Sequence, residues 1–180
     1  MNQAIHPLDL LQWLVGPAVT VGGAASTRAL TGVIEVEDTA DLVLEHATAF
    51  GSVRSVFYAT NVNAVDAPVT LDILTEGAEL SLRRDLTVRH GDGHVDVVGE
   101  DRAPTAGRSY WGASHQLLIE DFYASLGSEE RFWIGAEEAT ASLRLIKDVY
   151  AHSYARASGS SRTALLAING KRLPAWPVPA

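Results

Sequence analysis

The spacing of the apolar residues changes along this chain, and that change restricts the fold more than any single motif. Between residues 41 and 98 apolar side chains alternate with polar ones, as where Leu42 and Leu44 share a face within residues 41–46. A period of two belongs to a half-buried β-strand. The strands come in pairs. Gly51-Ser52 turns residues 41–46 into 53–58, Glu76-Gly77 turns residues 69–74 back along 79–83, and Gly91-Asp92-Gly93 joins 86–89 to 95–98. These links are too short for crossover helices, so about six strands in one largely antiparallel sheet are expected.

After Gly107 the period lengthens. Residues 114–126 carry Leu117, Leu118, Phe122 and Leu126 at helical spacing. Residues 136–150 carry Ala139, Leu143, Ile146 and Tyr150, with Glu137 and Glu138 placed to complement the positive helix end. A shorter helix over residues 7–15 opens the chain, with Leu8, Leu11, Leu14 and Val15 on one side. Pro7 is tolerated in its first turn and Gly16-Pro17 stops it. A small-residue loop, Gly22-Gly23-Ala24-Ala25-Ser26, leads onward from it. The expected class is α+β: a largely antiparallel open β-sheet with helices packed on one face. Residues 1–157 form the domain, and the Pro-rich tail at 158–180 contributes at most an edge strand before a loose end. An uncovered apolar sheet face calls for a partner.

The chain has 180 residues, 47% of them hydrophobic, enough for one substantial core. Its 22 acidic and 14 basic residues give a net charge of -8, which argues against nucleic acid or an anionic membrane as partner. The absence of cysteine removes disulfides, thiolate zinc sites and cysteine nucleophiles. No stretch approaches the roughly 18 apolar residues of a spanning helix, and the first residues lack a basic-then-apolar leader. A soluble, cytoplasmic protein is expected.

Few residues point to chemistry. His6 stands at the mouth of the first helix, where an imidazole serves either as a cap for the first turn or as the acid/base for a hydroxyl proton. Asp9 has mainly a structural reading, its carboxylate complementing the helix start. His90 and His94, with Asp92 or Asp96, could be imagined as metal ligands, but a polar hairpin tip needs no metal, and none is expected. Glu137 and Glu138 are adjacent rather than facing, so they form no acid/base pair. Gly22-Gly23 lacks both the spacing and the βαβ setting of a phosphate loop, so no cofactor-binding residue is assigned. Tyr110-Trp111-Gly112 followed by His115 suits either a sugar-like ligand or plain core packing.

Several segments together resemble one family. Residues 2–16, Asn2-Gln3-Ala4-Ile5-His6-Pro7-Leu8-Asp9-Leu10-Leu11-Gln12-Trp13-Leu14-Val15-Gly16, resemble the G-x-H-x-x-D-L-L-x-W-L-x-G pattern that begins the substrate domain of Gfo/Idh/MocA oxidoreductases, with Ala4 at a position often filled by Gly. Val36-Glu37-Asp38-Thr39-Ala40 is similar to that family's E-D-T strand start, and residues 67–77 resemble its P-x-x-L-x-I hairpin. Residues 109–123, with Tyr110-Trp111-Gly112, His115, Ile119, Asp121, Phe122 and Tyr123, resemble its Y-W-G segment, and Ala136-Glu137-Glu138-Ala139 its last helix. Ordered weak motifs over residues 1–155 outweigh any one of them.

The resemblance implies a two-domain parent whose Rossmann half binds NAD or NADP and supplies a catalytic lysine, neither of which is expected in this chain. It implies that His6 is the catalytic acid/base and that Asn2 stands beside it at a sugar or cyclitol substrate; Tyr110 and His115, on the aromatic loop, are the further candidate substrate contacts. Asn2 stands where the family commonly has Asp; it can orient a hydroxyl by hydrogen bonding but cannot accept a proton. The expected function is the substrate-binding and oligomerisation domain of an NAD(P)-dependent oxidoreductase, inactive without a Rossmann-domain partner and self-associating through its open sheet face. The alternative is a non-catalytic oligomerisation module derived from such an enzyme. Neither the substrate nor the choice between NAD and NADP is legible here.

Overall fold

The computed structural model describes residues 4–65, 67–99, 114–157 and 166–167. The elements run α1 (Ile5–Val15), β1 (Ala18–Ser26), β2 (Thr39–Thr48), β3 (Gly51–Thr60), β4 (Leu71–Leu74), β5 (Ala78–Arg83), β6 (Asp85–His90), β7 (Val95–Val98), α2 (Ser114–Ser125), α3 (Ala136–Ala157) and β8 (Leu166–Ala167). The class is α+β with antiparallel sheets. The strands divide between two four-stranded sheets, ordered β3-β2-β1-β8 and β4-β5-β6-β7, rather than forming the single sheet that alternation led us to expect. Two units follow: Met1–Ala64 with Ile134–Ala180, and Val65–Trp133.

In the first unit, β2 shows what alternation does once a cover exists. Ala40, Leu42, Leu44 and His46 are buried, whereas Val43 and Ala47, on the other face, are exposed. The buried face lies under α1 and α3, which contact each other and the sheet. Leu8 and Leu11 of α1 and Leu145, Ile146 and Val149 of α3 complete the core. Burying a large aliphatic side chain stabilises by about 1.5–3 kcal/mol, so this cluster holds the unit together.

Three local expectations need correction. The turn between β2 and β3 falls at Ala49-Phe50, because Thr48 pairs with Gly51 and the Thr48 hydroxyl both donates to Gly51 O at 2.8 Å and accepts from Phe50 N–H at 3.1 Å. Gly51-Ser52 therefore belong to β3. Residues 22–26 are strand rather than loop: each pairs with β2, from Gly22 opposite Val43 to Ser26 opposite Thr39. Their small size brings α3 close enough for Ser153 Oγ to accept the Ala25 N–H at 2.9 Å.

The third correction concerns the buried stripes of the helices. In α3 the buried positions are Ser142, Leu145, Ile146, Val149 and His152, while Leu143 is half exposed and Ala139 exposed. The stripe contains two polar residues, and a search for apolar positions alone rotates it away from the core. In α1, likewise, Leu14 is 44% exposed and lies off the core-facing side.

The second unit is a meander. Leu71, Ile73, Leu80, Leu82, Leu86, Val88 and Val98 fall on one face by register, and Asp72, Ser81, Arg83, Thr87 and Arg89 on the other. None of its described residues is buried, including those of α2, where Leu117, Leu118, Phe122 and Leu126 keep the expected spacing but stay exposed. Arg84, between β5 and β6, has φ 82°, the price of a single-residue reversal. Among the described residues no helix is long and apolar enough to cross a membrane.

Candidate functional site

The first helix presents the main candidate. Ala4, Leu8 and Leu11 seat α1 on the core, and its axis stops at Gly16, whose φ of 112° excludes most side chains and whose N–H bonds Gln12 O at 2.8 Å. His6, the second residue of the helix, is exposed on the opposite side. Pro7 sits in the first turn, where no intrahelical N–H is required.

A polar clamp holds this helix against α3. Ser142 Oγ, almost fully buried, donates to Asp9 Oδ1 at 2.6 Å and accepts from Gln12 Nε2 at 3.1 Å, and Gln12 Oε1 accepts the Ala18 N–H at 3.3 Å. Asp9 is structural, as expected, but it acts through Ser142 of α3 rather than through the amides at its own helix start. Asp9 itself remains an exposed residue.

Asp38 organises the connection before β2. Its carboxylate, 2% exposed, accepts the backbone N–H groups of Arg28 (3.0 Å to each oxygen), Ala29 (2.9 Å) and Leu30 (2.8 Å). Burial alone would raise its pKa; the amides of Leu30, Arg28 and Ala29, with the Thr39 hydroxyl, outweigh burial and hold it at about 2. Beside it, Glu37 Oε1 accepts the Tyr150 hydroxyl of α3 at 2.6 Å, and Arg28 pairs with Asp41. The E-D-T match thus marks a loop built around one buried anion. His46, fully buried, bonds Gly16 O through Nδ1 at 2.7 Å and Ser55 Oγ through Nε2 at 2.8 Å, so both ring nitrogens have partners. Sequence reasoning did not single out Asp38, Ser142 or His46; for Asp38 the available signal was the motif itself.

The other candidates separate. His115 is exposed in the first turn of α2, in the second unit, whereas His6 belongs to the first. Asn2, Tyr110 and Trp111 lie outside the described residues. His6 and His115 therefore fall in different units, and nothing described tests whether the predicted substrate contacts share a site. His90 Nε2 and His94 Nε2 meet the two oxygens of Asp96 at 2.8 and 3.0 Å, and Asp92 Oδ1 accepts the His94 N–H at 2.9 Å. The bonds from His90 and His94 lower the Asp96 pKa. The hairpin tip satisfies itself, and among the described residues no group of three or more His, Asp or Glu is arranged to hold a metal ion. Glu138 Oε2 accepts the Gly135 N–H at 2.9 Å, a helix-capping role.

The described residues do not fit a dinucleotide. Every pairing between named strands is antiparallel, whereas the phosphate loop of such a site opens a helix after a parallel strand. A Cβ on Gly23 (φ 93°) would meet Asp41 O at 2.0 Å, so this glycine relieves a close backbone crossing and lines no cradle.

The comparisons agree with this geometry. No curated protein matches the sequence. Among solved structures, the chain is similar to an oxidoreductase from Agrobacterium radiobacter in complex with NAD+, L-tartaric acid and magnesium (17% identity, TM-score 0.71, covering 84% of this chain and 45% of that one). It is also similar to the WlbA dehydrogenase from Bordetella pertussis in complex with NADH and UDP-GlcNAcA (24% identity, TM-score 0.53, covering 86% and 45%). At these identities the likeness is one of fold, and the chain spans less than half the length of either protein. The family model for the GFO/IDH/MocA C-terminal domain matches residues 1–101. The chain, with His6 carried outward on a helix pinned from behind, belongs to the GFO/IDH/MocA family and is a C-terminal domain of that type.

Proposed function

We propose that this chain is the substrate-binding half of an NAD(P)-dependent oxidoreductase that transfers hydride at a hydroxyl-bearing carbon of a sugar or cyclitol. The observation that carries the reading is His6: an exposed imidazole at the start of α1, within the family match, on a helix whose opposite side is fixed by Leu8, Leu11 and the Asp9–Ser142 bond. Fixed geometry is what proton transfer requires of an acid/base. In the oxidative direction His6 takes the hydroxyl proton as the carbonyl forms, and it returns a proton in the reverse direction. Asn2, Tyr110 and His115 orient the substrate. NAD or NADP supplies the hydride acceptor when bound by a separate dinucleotide-binding half, since the described residues do not fit its phosphates. The chain alone is inactive, works in the cytoplasm, and self-associates through the open face of its first sheet.

The test is calorimetric titration of the 180-residue chain with NAD and NADP, alone and with a dinucleotide-binding partner, followed by turnover. Binding and turnover only with the partner, lost in His6→Ala, support the reading; NAD(P)-linked turnover by the chain alone overturns it.

One observation favours the second reading, a non-catalytic oligomerisation module. Val56 (80% exposed) and Tyr58 (66%) stand with Val43 on the uncovered face of β2 and β3. A stable dimer that binds neither cofactor nor sugars would select it.

A further inference from the structure

We propose that the aromatic cluster of the second unit, Trp133 with Asp121 bonded to it, is a shallow saccharide-binding platform that stacks the C–H face of a pyranose ring. This platform belongs to the second unit and His6 to the first, so it stands without the functional reading above. The chain after α2 folds back on the helix. Phe132 meets Phe122 edge to face with ring centroids 5.4 Å apart, and Trp133 lies 5.6 Å from Phe132, tilted by 47°. Tyr123 extends the cluster, its ring edge-on to Phe122 at 5.8 Å. These rings brace one another, yet Trp133 is 62% exposed and Tyr123 67%.

Trp133 is also fixed in orientation. Its indole N–H donates to Asp121 Oδ2 at 2.8 Å, so the ring is pinned by its polar edge while most of its surface meets water. An exposed aromatic patch rimmed by polar groups marks a binding surface. The π face carries partial negative charge and attracts the weakly positive C–H groups that line one face of a pyranose. The Asp121 carboxylate, itself exposed, accepts at about four positions, and the indole takes one. The others suit hydroxyls at the edge of the sugar, and hydrogen bonds to an ionised acceptor are the strong ones.

Three observations select a neutral polyol over other occupants. Asp and Glu are depleted from the centres of protein interfaces, whereas here a carboxylate is bonded to the largest ring of the cluster. A net charge of -8, with Glu120 and Asp121 adjacent, disfavours an anionic ligand or an anionic bilayer. The rings gather at one end of α2, while the exposed apolar residues before them, Leu117, Leu118 and Ile119, are aliphatic. Stacking chemistry is therefore confined to one spot.

Nuclear magnetic resonance of the 180-residue chain tests this at one atom, the Trp133 indole N–H, identified among the four tryptophans by its loss in Trp133→Ala. The probes are methyl β-D-glucopyranoside, a lone ring, and cellobiose, two linked rings. Each should shift that resonance saturably with a Kd on the order of 10 mM, since one stacked ring and one or two hydrogen bonds sum to weak binding. Tighter binding of cellobiose identifies linked sugars as the ligand, and equal binding a single ring. Asp121→Asn, which keeps an acceptor for the indole, should weaken binding roughly fivefold, and His6→Ala should leave it unchanged. No shift up to about 100 mM sugar, a Kd unaltered by Asp121→Asn, or a shift lost in His6→Ala each overturns the proposal. So does a Trp133 resonance that moves with protein concentration alone, which assigns the patch to a second copy. Neither NAD(P) nor turnover enters the measurement, so failure of the platform leaves the functional reading standing, and failure of that reading leaves the platform.

Discussion

The two sheets are built from the same alternating grammar, yet among the described residues one encloses a core and the other does not. In the β3-β2-β1-β8 sheet, Leu42 and Leu44 are essentially inaccessible because α1 and α3 lie over them. In the β4-β5-β6-β7 sheet, Leu80, Leu82 and Leu86 point to one face just as consistently and are only half-buried. Period-two patterning decides which way a side chain points, and burial requires a second layer. A strand pattern is therefore half of a core.

The contrast predicts unequal costs for equal substitutions. Leu44→Ala should destabilise by about 3–5 kcal/mol, the range for a fully enclosed leucine, and Leu80→Ala by about 1 kcal/mol, since its neighbours are already open to water. Urea unfolding of the full chain measures both, and equal costs would break the comparison.

Two glycines sharpen it with backbone geometry held constant. Gly23 has φ 93° and Gly93 has φ 92°, but a Cβ on Gly23 meets Asp41 O at 2.0 Å whereas one on Gly93 meets nothing within 4 Å. Gly93→Ala should cost only the left-handed conformation, about 1–2 kcal/mol. Gly23→Ala should cost that plus overpacking, about 3 kcal/mol in all. If the two variants shift the thermal midpoint equally, conformation alone accounts for both sites.

The anions differ in the same way. Asp38 has a folded pKa of about 2 against an ordinary 3.8, so the stability it contributes is complete above about pH 4 and lost as pH falls toward 2. Asp38→Asn should flatten that acid limb and speed hydrogen exchange at Arg28, Ala29 and Leu30. Asp72, its pKa lowered by Arg83 and then Ser81, titrates in the same direction, but the Asp72–Arg83 pair is half exposed on both sides. Exposed pairs of this kind contribute little, so Arg83→Ala should give the smallest effect, a change in denaturation midpoint within error. A flattened limb in Arg83→Ala and an intact one in Asp38→Asn would reverse the assignment.

Much of this could be read beforehand. The antiparallel pairs, the helix stop at Gly16, the acidic start of α3 and the family itself follow from local patterns, and local patterns need only neighbours in sequence. The candidate site was legible only as a residue type at a helix start, His6. Asp38 looked like one letter of a motif until three amides converged on it. Ser142 and His152 were invisible in α3 because a polar residue enters a buried stripe only when its partners, such as Asp9 for Ser142, arrive from far along the chain.

Period, turn chemistry and helix boundaries were determined by the sequence alone, because steric and hydrogen-bonding preferences act within a few residues. Only the tertiary structure decided which sheet acquired a core, which stripe of α3 faced it, and why Gly23 has no room for a side chain. Each of these depends on which distant surface comes to lie against the segment, and burial energies are set by that contact rather than by the segment's own pattern.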